Sequence, residues 1–159
     1  MDKHEEQALD HYWKGDYAQA LPLFIQAAEA GHADAMMMLA HLHDDGLGVA
    51  PDWDRSYEWA QRAIAAGSVT ARMNLGVSHR RRGEIRAARD CFRAAMERGD
   101  GDAALELANL YLVSDLEIPR VLKLLQTVLD SANVTQESRE QAQALLTELK
   151  DGQGPSHNP

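Results

Sequence analysis

Apolar residues return at Tyr17, Ala20, Leu21, Phe24, Ala27 and Ala28, in steps of one and three residues that gather on one face of an α-helix. The same pattern comes back along the chain once glycines are used as anchors. Gly31-His32-Ala33-Asp34-Ala35 aligns with Gly67-Ser68-Val69-Thr70-Ala71 and with Gly99-Asp100-Gly101-Asp102-Ala103, at spacings of 36 and 32 residues. Ala20, Ser56 and Ala88 fall eleven residues before these glycines, and Ala27, Ala63 and Ala95 fall four before. Small residues that recur in register predict sites where helices approach closely.

Each interval divides into two amphipathic helices, so the pattern predicts an all-α stack of about four helix pairs. In the first and third units the pair is joined by matching turns, Gly15-Asp16-Tyr17 and Gly83-Glu84-Ile85. There a glycine closes one helix and an acidic residue opens the next, where it suits the positive end of the helix dipole. The middle unit carries an insertion, Gly46-Leu47-Gly48-Val49-Ala50-Pro51-Asp52. The fourth unit is expected to run from Asp102 to Ser114 and, after a turn at Asp115-Leu116, from Glu117 to about Ala132. Pro119 is tolerated there because it lies in a first turn. A closing helix from Thr135 to Lys150, with Thr135 as cap and Leu145, Leu146 and Leu149 as its apolar stripe, would cover the open end. Residues 1–150 thus form the repeat domain, and 151–159 have nothing to bury and read as a disordered tail. Pro22, inside a helical pattern, predicts a kink.

Ala35-Met36-Met37-Met38-Leu39-Ala40, then Gly46-Leu47-Gly48-Val49, then Asp52, Ser56, Tyr57, Trp59, Ala63 and Gly67, resemble a Sel-one-like repeat, a relative of the tetratricopeptide repeat. The glycine-x-glycine-valine turn and the tryptophan occur together at that family's spacing. The flanking units, Lys3 to Gly31 and Ala71 to Gly99, lack the insertion and look like plain tetratricopeptide units. The resemblance implies a right-handed α-solenoid of antiparallel helix pairs that serves as a scaffold for protein or peptide partners.

Bulk properties agree with such a stack. The chain has 159 residues, 45% hydrophobic and 26% charged, enough for one domain that needs no disulfide or metal staple. Its polar, acidic start differs from a secretory signal, and no apolar run is long enough to span a bilayer, so the expectation is a cytoplasmic protein without a membrane partner. The lone Cys91 reads as a buried structural thiol.

Candidate chemistry gives way to the repeat frame. Seven histidines, His41, His43 and His79 foremost, raise a metal site, since imidazole is the commonest transition-metal ligand. Yet His11, His43, His79 and Tyr111 follow one another at 32, 36 and 32 residues, so they hold one structural position, which the family fills with a packed tyrosine. Successive units set equivalent side chains about 10 Å apart, too far for one ion. Gly46 and Gly48 do not make a nucleotide loop, because Pro51 stands where a third glycine is required and no strand precedes them. The Asp44-Asp45 pair points two ways on a helix, and no nucleophile has a base at useful spacing. No cofactor, metal or catalytic residue is expected.

Charge is unevenly spread. Residues 1–67 carry 4 Lys and Arg against 12 Asp and Glu, residues 68–99 carry 8 against 3, and residues 100–159 carry 4 against 10. The arginine-rich unit (Arg72, Arg80, Arg81, Arg82, Arg86, Arg89, Arg93 and Arg98) lies between acidic flanks, and its stretch from Arg80 to Arg89 lacks aromatics. This favours arginines that are solvated or paired within the stack over a nucleic-acid surface.

The resemblance also locates a groove, because first helices line the concave side. Carried over position by position, the partner-binding residues are Tyr12 and Trp13 (with Leu9), Met37, His41, Asp44 and Asp45, Met73, Val77, Arg80 and Arg81, then Leu105 and Asn109 (with Leu112). Met37, Met73 and Leu105 form one column, an adaptable apolar stripe between an acidic and a basic patch, with core packing as the competing reading. The function read from the sequence is a non-catalytic interaction module, a monomeric scaffold or adaptor that holds another protein or peptide across Met37, Met73 and Arg80. The acidic flanks also suit an inhibitor or immunity-type protein that covers a basic toxin or enzyme. A metal-binding protein or enzyme is the remaining class, and no residue pattern specifies it.

Overall fold

The computed structural model describes residues 3–68, 70–114 and 117–151; of Ser114 only the backbone is described. Among the described residues there are nine helices and no strand: α1 Lys3–Trp13, α2 Tyr17–Glu29, α3 Ala33–Asp45, α4 Trp53–Ala65, α5 Ala71–Arg81, α6 Ile85–Met96, α7 Gly101–Ser114, α8 Ile118–Asp130 and α9 Gln136–Lys150. The expected turn at Asp115-Leu116 and the tail beyond Asp151 lie outside the described residues. The chain forms two compact units, Met1–Ser78 and His79–Pro159, with the boundary inside α5.

In the first unit α1 packs on α2, α2 on α3 and α3 on α4. Its core is built largely of alanine: Ala8, Ala20, Ala27, Ala28, Ala35, Ala63 and Ala71 surround Phe24, Met36, Leu39 and Leu42. Side chains this short let helix axes close together, and they lose almost no rotamer freedom when buried. In the second unit α6 packs on α7, α7 on α8 and α8 on α9, and α9 also touches α7. Phe92, Leu107, Val121, Leu125 and Val128 fill the space between them. All six small residues that recur in register (Ala20, Ser56, Ala88, Ala27, Ala63 and Ala95) are buried, as their spacing predicts.

The anchor glycines Gly31, Gly67 and Gly99 end their helices at φ +96°, +92° and +90°, a left-handed geometry that lets the chain reverse. Gly48 meets a second demand. It stands at φ +70°, and a Cβ there would fall 2.7 Å from the Tyr17 carbonyl carbon and 2.9 Å from the Ala18 nitrogen. The insertion therefore lies against the first turn of α2, with Leu47 packed on the core.

Two helix starts follow the expected capping. Asp52 accepts from the Arg55 amide at 3.1 Å, and Thr135 accepts from that of Ser138 at 3.3 Å. The terminal helix is tied down further by Arg139, which donates to the carbonyls of Leu129 and Ser131 at 2.5 and 2.8 Å. Asp16 and Glu84 behave otherwise. They occupy the cap positions of α2 and α6 but make no side-chain cap bond. Each carboxylate turns back to the preceding helix, with His11 Nδ1 3.8 Å from Asp16 and His79 Nδ1 2.5 Å from Glu84. At Glu84 the imidazole five residues earlier is a directed hydrogen-bond partner, which a diffuse dipole is not; at Asp16 the His11 ring stands too far off to bond. Pro22 lies inside α2, which continues as helix to Glu29; its ring and Ala18, the residue whose carbonyl loses a donor, are both on the exposed side. Cys91 is half-buried rather than fully buried, and the neighbouring Phe92 takes the core position.

Candidate functional site

The first-helix positions carried over from the resemblance do not share one environment. In the first unit, the end of α1 and the facing turn of α3 bring Tyr12, Trp13, His41 and Asp45 together. Trp13 is 79% exposed, the most open tryptophan among the described residues. Its ring meets that of half-buried Tyr12 edge-on, with centroids 5.2 Å apart and planes at 86°. Tyr12 also contacts Tyr17 at 5.4 Å, Phe24 at 6.3 Å and His41 at 6.1 Å, so its ring links the core to the surface. Burial, with the negative charge of Asp45 and the neighbouring Tyr17, raises the Tyr12 hydroxyl above its ordinary value and keeps it protonated. His41 Nδ1 lies 3.2 Å from Asp45 Oδ2 one helical turn on, and Asp44 accepts from Ser78 Oγ at 2.6 Å.

The methionine stripe is only partly a surface. Met37 packs half-buried against the core, and its Sδ accepts from Thr70 Oγ1 at 2.9 Å and Asn74 Nδ2 at 3.1 Å. Met73 and Val77 are half-buried as well. The expectation for the last member of the column fails: Leu105 is 4% exposed, and Leu112 is buried with it. Helix α7 lies against α6, α8 and the closing helix α9, so side chains that would face a groove in an inner repeat are core here. Asn109 on the same helix is half-buried.

Arg80 and Arg81 are exposed on α5. Arg80 Nη1 pairs with Glu106 at 2.5 Å. Other arginines of this stretch also turn inward. Arg89 and, from α8, Arg120 stand 4.9 and 4.8 Å from the centroid of the buried Tyr111 ring, and Arg93 donates to its hydroxyl at 3.4 Å. The positive stretch is thus largely consumed by contacts within the second unit.

The histidine column packs as its repeat spacing predicts, with His43, His79 and Tyr111 buried and His11 part-exposed. Among the described residues no three His, Cys, Asp or Glu side chains stand close enough together to hold a metal ion. His43 is 4% exposed, and its Nδ1 has no hydrogen-bond partner. Burial, aided by the charge of Arg55 and opposed by that of Asp52, depresses its pKa below the ordinary histidine value. A neutral imidazole is therefore built into the fold. Below about pH 6.5 the unfolded chain takes up a proton that the folded one resists, so stability falls as pH drops from about 7 to about 5. Urea unfolding at several pH values should show this loss. His43→Tyr, which copies the fourth unit, should flatten the slope in that window, and an unchanged slope would refute the assignment.

The geometry accords with what the chain is similar to. The Sel1 repeat family's sequence profile matches residues 10–32 and 33–68, the span that contains the aromatic cluster and the inserted loop. Residues 10–68 carry Sel1 repeats. Repeats of this family are in general protein–protein interaction modules. The match at 10–32 shows that a first unit without the insertion still carries the family's pattern. Among solved structures, the fold is similar to that of a Sel1 repeat protein from Oxalobacter formigenes, with TM-score 0.75 and 22% identity over 98% of this chain. It is also similar to a protective antigen of uropathogenic Escherichia coli strains that displays an SLR fold, with TM-score 0.73 and 24% identity over 95% of this chain. The architecture is therefore that of a helical-repeat solenoid. The chain spans 65% and 34% of the lengths of those two proteins. No curated protein matches the chain by sequence. No described helix is long and apolar enough to cross a membrane.

Sequence reasoning named Tyr12, Trp13, His41 and Asp45 but missed Tyr17, Thr70, Asn74 and Ser78, which hold the site's side chains from adjacent elements. A signal for Thr70 and Asn74 exists. In the 36-residue frame they are the equivalents of Asp34 and Met38, the positions on either side of Met37 one unit earlier.

Proposed function

We propose that this protein is a non-catalytic interaction module that holds another protein on the first-unit surface formed by Tyr12, Trp13, His41, Asp44 and Asp45. One observation carries the reading: a tryptophan 79% exposed, stacked edge-on against Tyr12, whose ring also meets Tyr17, Phe24 and His41. Tryptophan and tyrosine dominate binding energy at protein interfaces, and an ordered aromatic loses little entropy on docking. A scaffold or an inhibitor would both use this surface, and a single cysteine suits a cytoplasmic setting.

A photo-crosslinking amino acid in place of exposed Lys14, beside Trp13, tests the reading in the native host. It should trap a discrete protein partner that the same probe in place of exposed Lys123 on α8 does not. Trp13→Ser should abolish that product while shifting stability by no more than about 0.5 kcal/mol, as expected for an exposed side chain. The same products from both probe positions, or products indifferent to Trp13→Ser, would overturn it.

A further inference from the structure

We infer that the corner between the Tyr12 and Trp13 rings is a receptor for an arginine side chain on a basic partner; this rests on the docking reading above and names its chemistry. Two rings at 86° with centroids 5.2 Å apart leave a re-entrant angle bounded by a face of each. Aromatic faces are negative, so such an angle attracts a cation, and a planar guanidinium can lie flat on one face while its edge meets the other. The half-exposed His41–Asp45 pair stands at the same place, on the turn of α3 that faces Tyr12. A guanidinium that enters the corner has the Asp45 carboxylate within the same cluster as its second partner, and arginine matches a carboxylate with two parallel N–H donors.

Charge selects the same ligand. Residues 1–67 carry 12 acidic against 4 basic side chains, and Lys14, next to Trp13 in the chain, is already held by Asp10 at 2.6 Å. An acidic partner would be repelled by this region, whereas a basic one gains in approach rate and orientation. An apolar partner residue would cover Trp13 but would gain nothing from the excess of negative charge in this region. Arginine satisfies both features.

The probe is an end-blocked peptide of alternating glycine and arginine, compared with its citrulline counterpart, which keeps the shape and loses the charge. Titration calorimetry on the full chain should show binding of the arginine peptide, and the citrulline peptide should bind at least about tenfold more weakly. Trp13→Ser should weaken the arginine peptide by about tenfold although it changes no charge, and Trp13→Phe should fall between. Asp45→Asn should also weaken it. In the wild type, the indole N–H resonance that Trp13→Phe removes should be the one that moves on titration. Equal affinity in Trp13→Ser, or no arginine-peptide binding up to about millimolar, would overturn the inference. A discrete Lys14 crosslink that depends on Trp13, without arginine-peptide binding, would sink this chemistry alone; absence of any such crosslink in the otherwise wild-type chain would sink the docking reading itself.

Discussion

Gly48→Ala is expected to lower the stability of the first unit by about 2–5 kcal/mol, a large change for an alanine on an exposed loop. Two terms combine. A left-handed residue with a Cβ is strained by about 1–2 kcal/mol. The added Cβ also falls 2.7 Å from the Tyr17 carbonyl carbon and 2.9 Å from the Ala18 nitrogen. These are backbone atoms at the first turn of α2, which cannot turn aside as a side chain would, and overpacking of this kind adds about 1–3 kcal/mol. Gly67→Ala is the control, because Gly67 sits at φ +92° with nothing within 4 Å of a new Cβ. It should lose only the strain, about 1–2 kcal/mol. Urea midpoints for the two variants measure the difference; equal losses would mean that the loop does not rest on α2.

Phe92→Ala should destabilise the second unit by about 3–5 kcal/mol, and Phe92→Leu by about 1–1.5 kcal/mol. Phe92 is fully buried and is one of two phenylalanines in the chain. The other, Phe24, holds the equivalent place seven residues before its anchor glycine, and Ala60 fills that place in the middle unit. Helices that carry so much alanine have few large side chains to fill the space between them, so one ring supplies a disproportionate share of the contact surface. Against a total stability of about 5–15 kcal/mol, such a loss removes from about a fifth to all of it. Urea unfolding read by far-ultraviolet circular dichroism should show it. A loss below about 1 kcal/mol would mean that the neighbouring helices close over the space.

The helices were legible because the signal for them is redundant. Periodic apolar positions, small residues in register and anchor glycines all mark the same boundaries, and the expected closing helix differs from the observed α9 only in that Thr135 caps it from outside. The division into two compact units was not legible, since a repeat frame runs through α5 without interruption. The site was read in part. Periodicity identifies which residues share a column, and it correctly grouped His43, His79 and Tyr111. It does not say how deep a column lies in each repeat, which depends on what covers it. Leu105 was therefore misplaced, while Met37 is half-buried against the core. Side-chain direction was equally hidden. Asp16 and Glu84 are well placed as caps by sequence, yet neither caps its helix, and Glu84 bonds the His79 imidazole instead.

In the first three units, the carbonyl of the column histidine accepts from the amide just before the second helix. His11 receives Asp16 at 2.9 Å, His79 receives Glu84 at 2.9 Å, and His43 receives Asp52 at 2.8 Å. The first two connections close five residues on and the third closes nine, yet all end on the same bond. What the repeat preserves is a point of closure, and the path to it is free to vary. This makes the connection a place where length can be gained or lost while the closing bond is kept, so plain and inserted repeats can share one pattern.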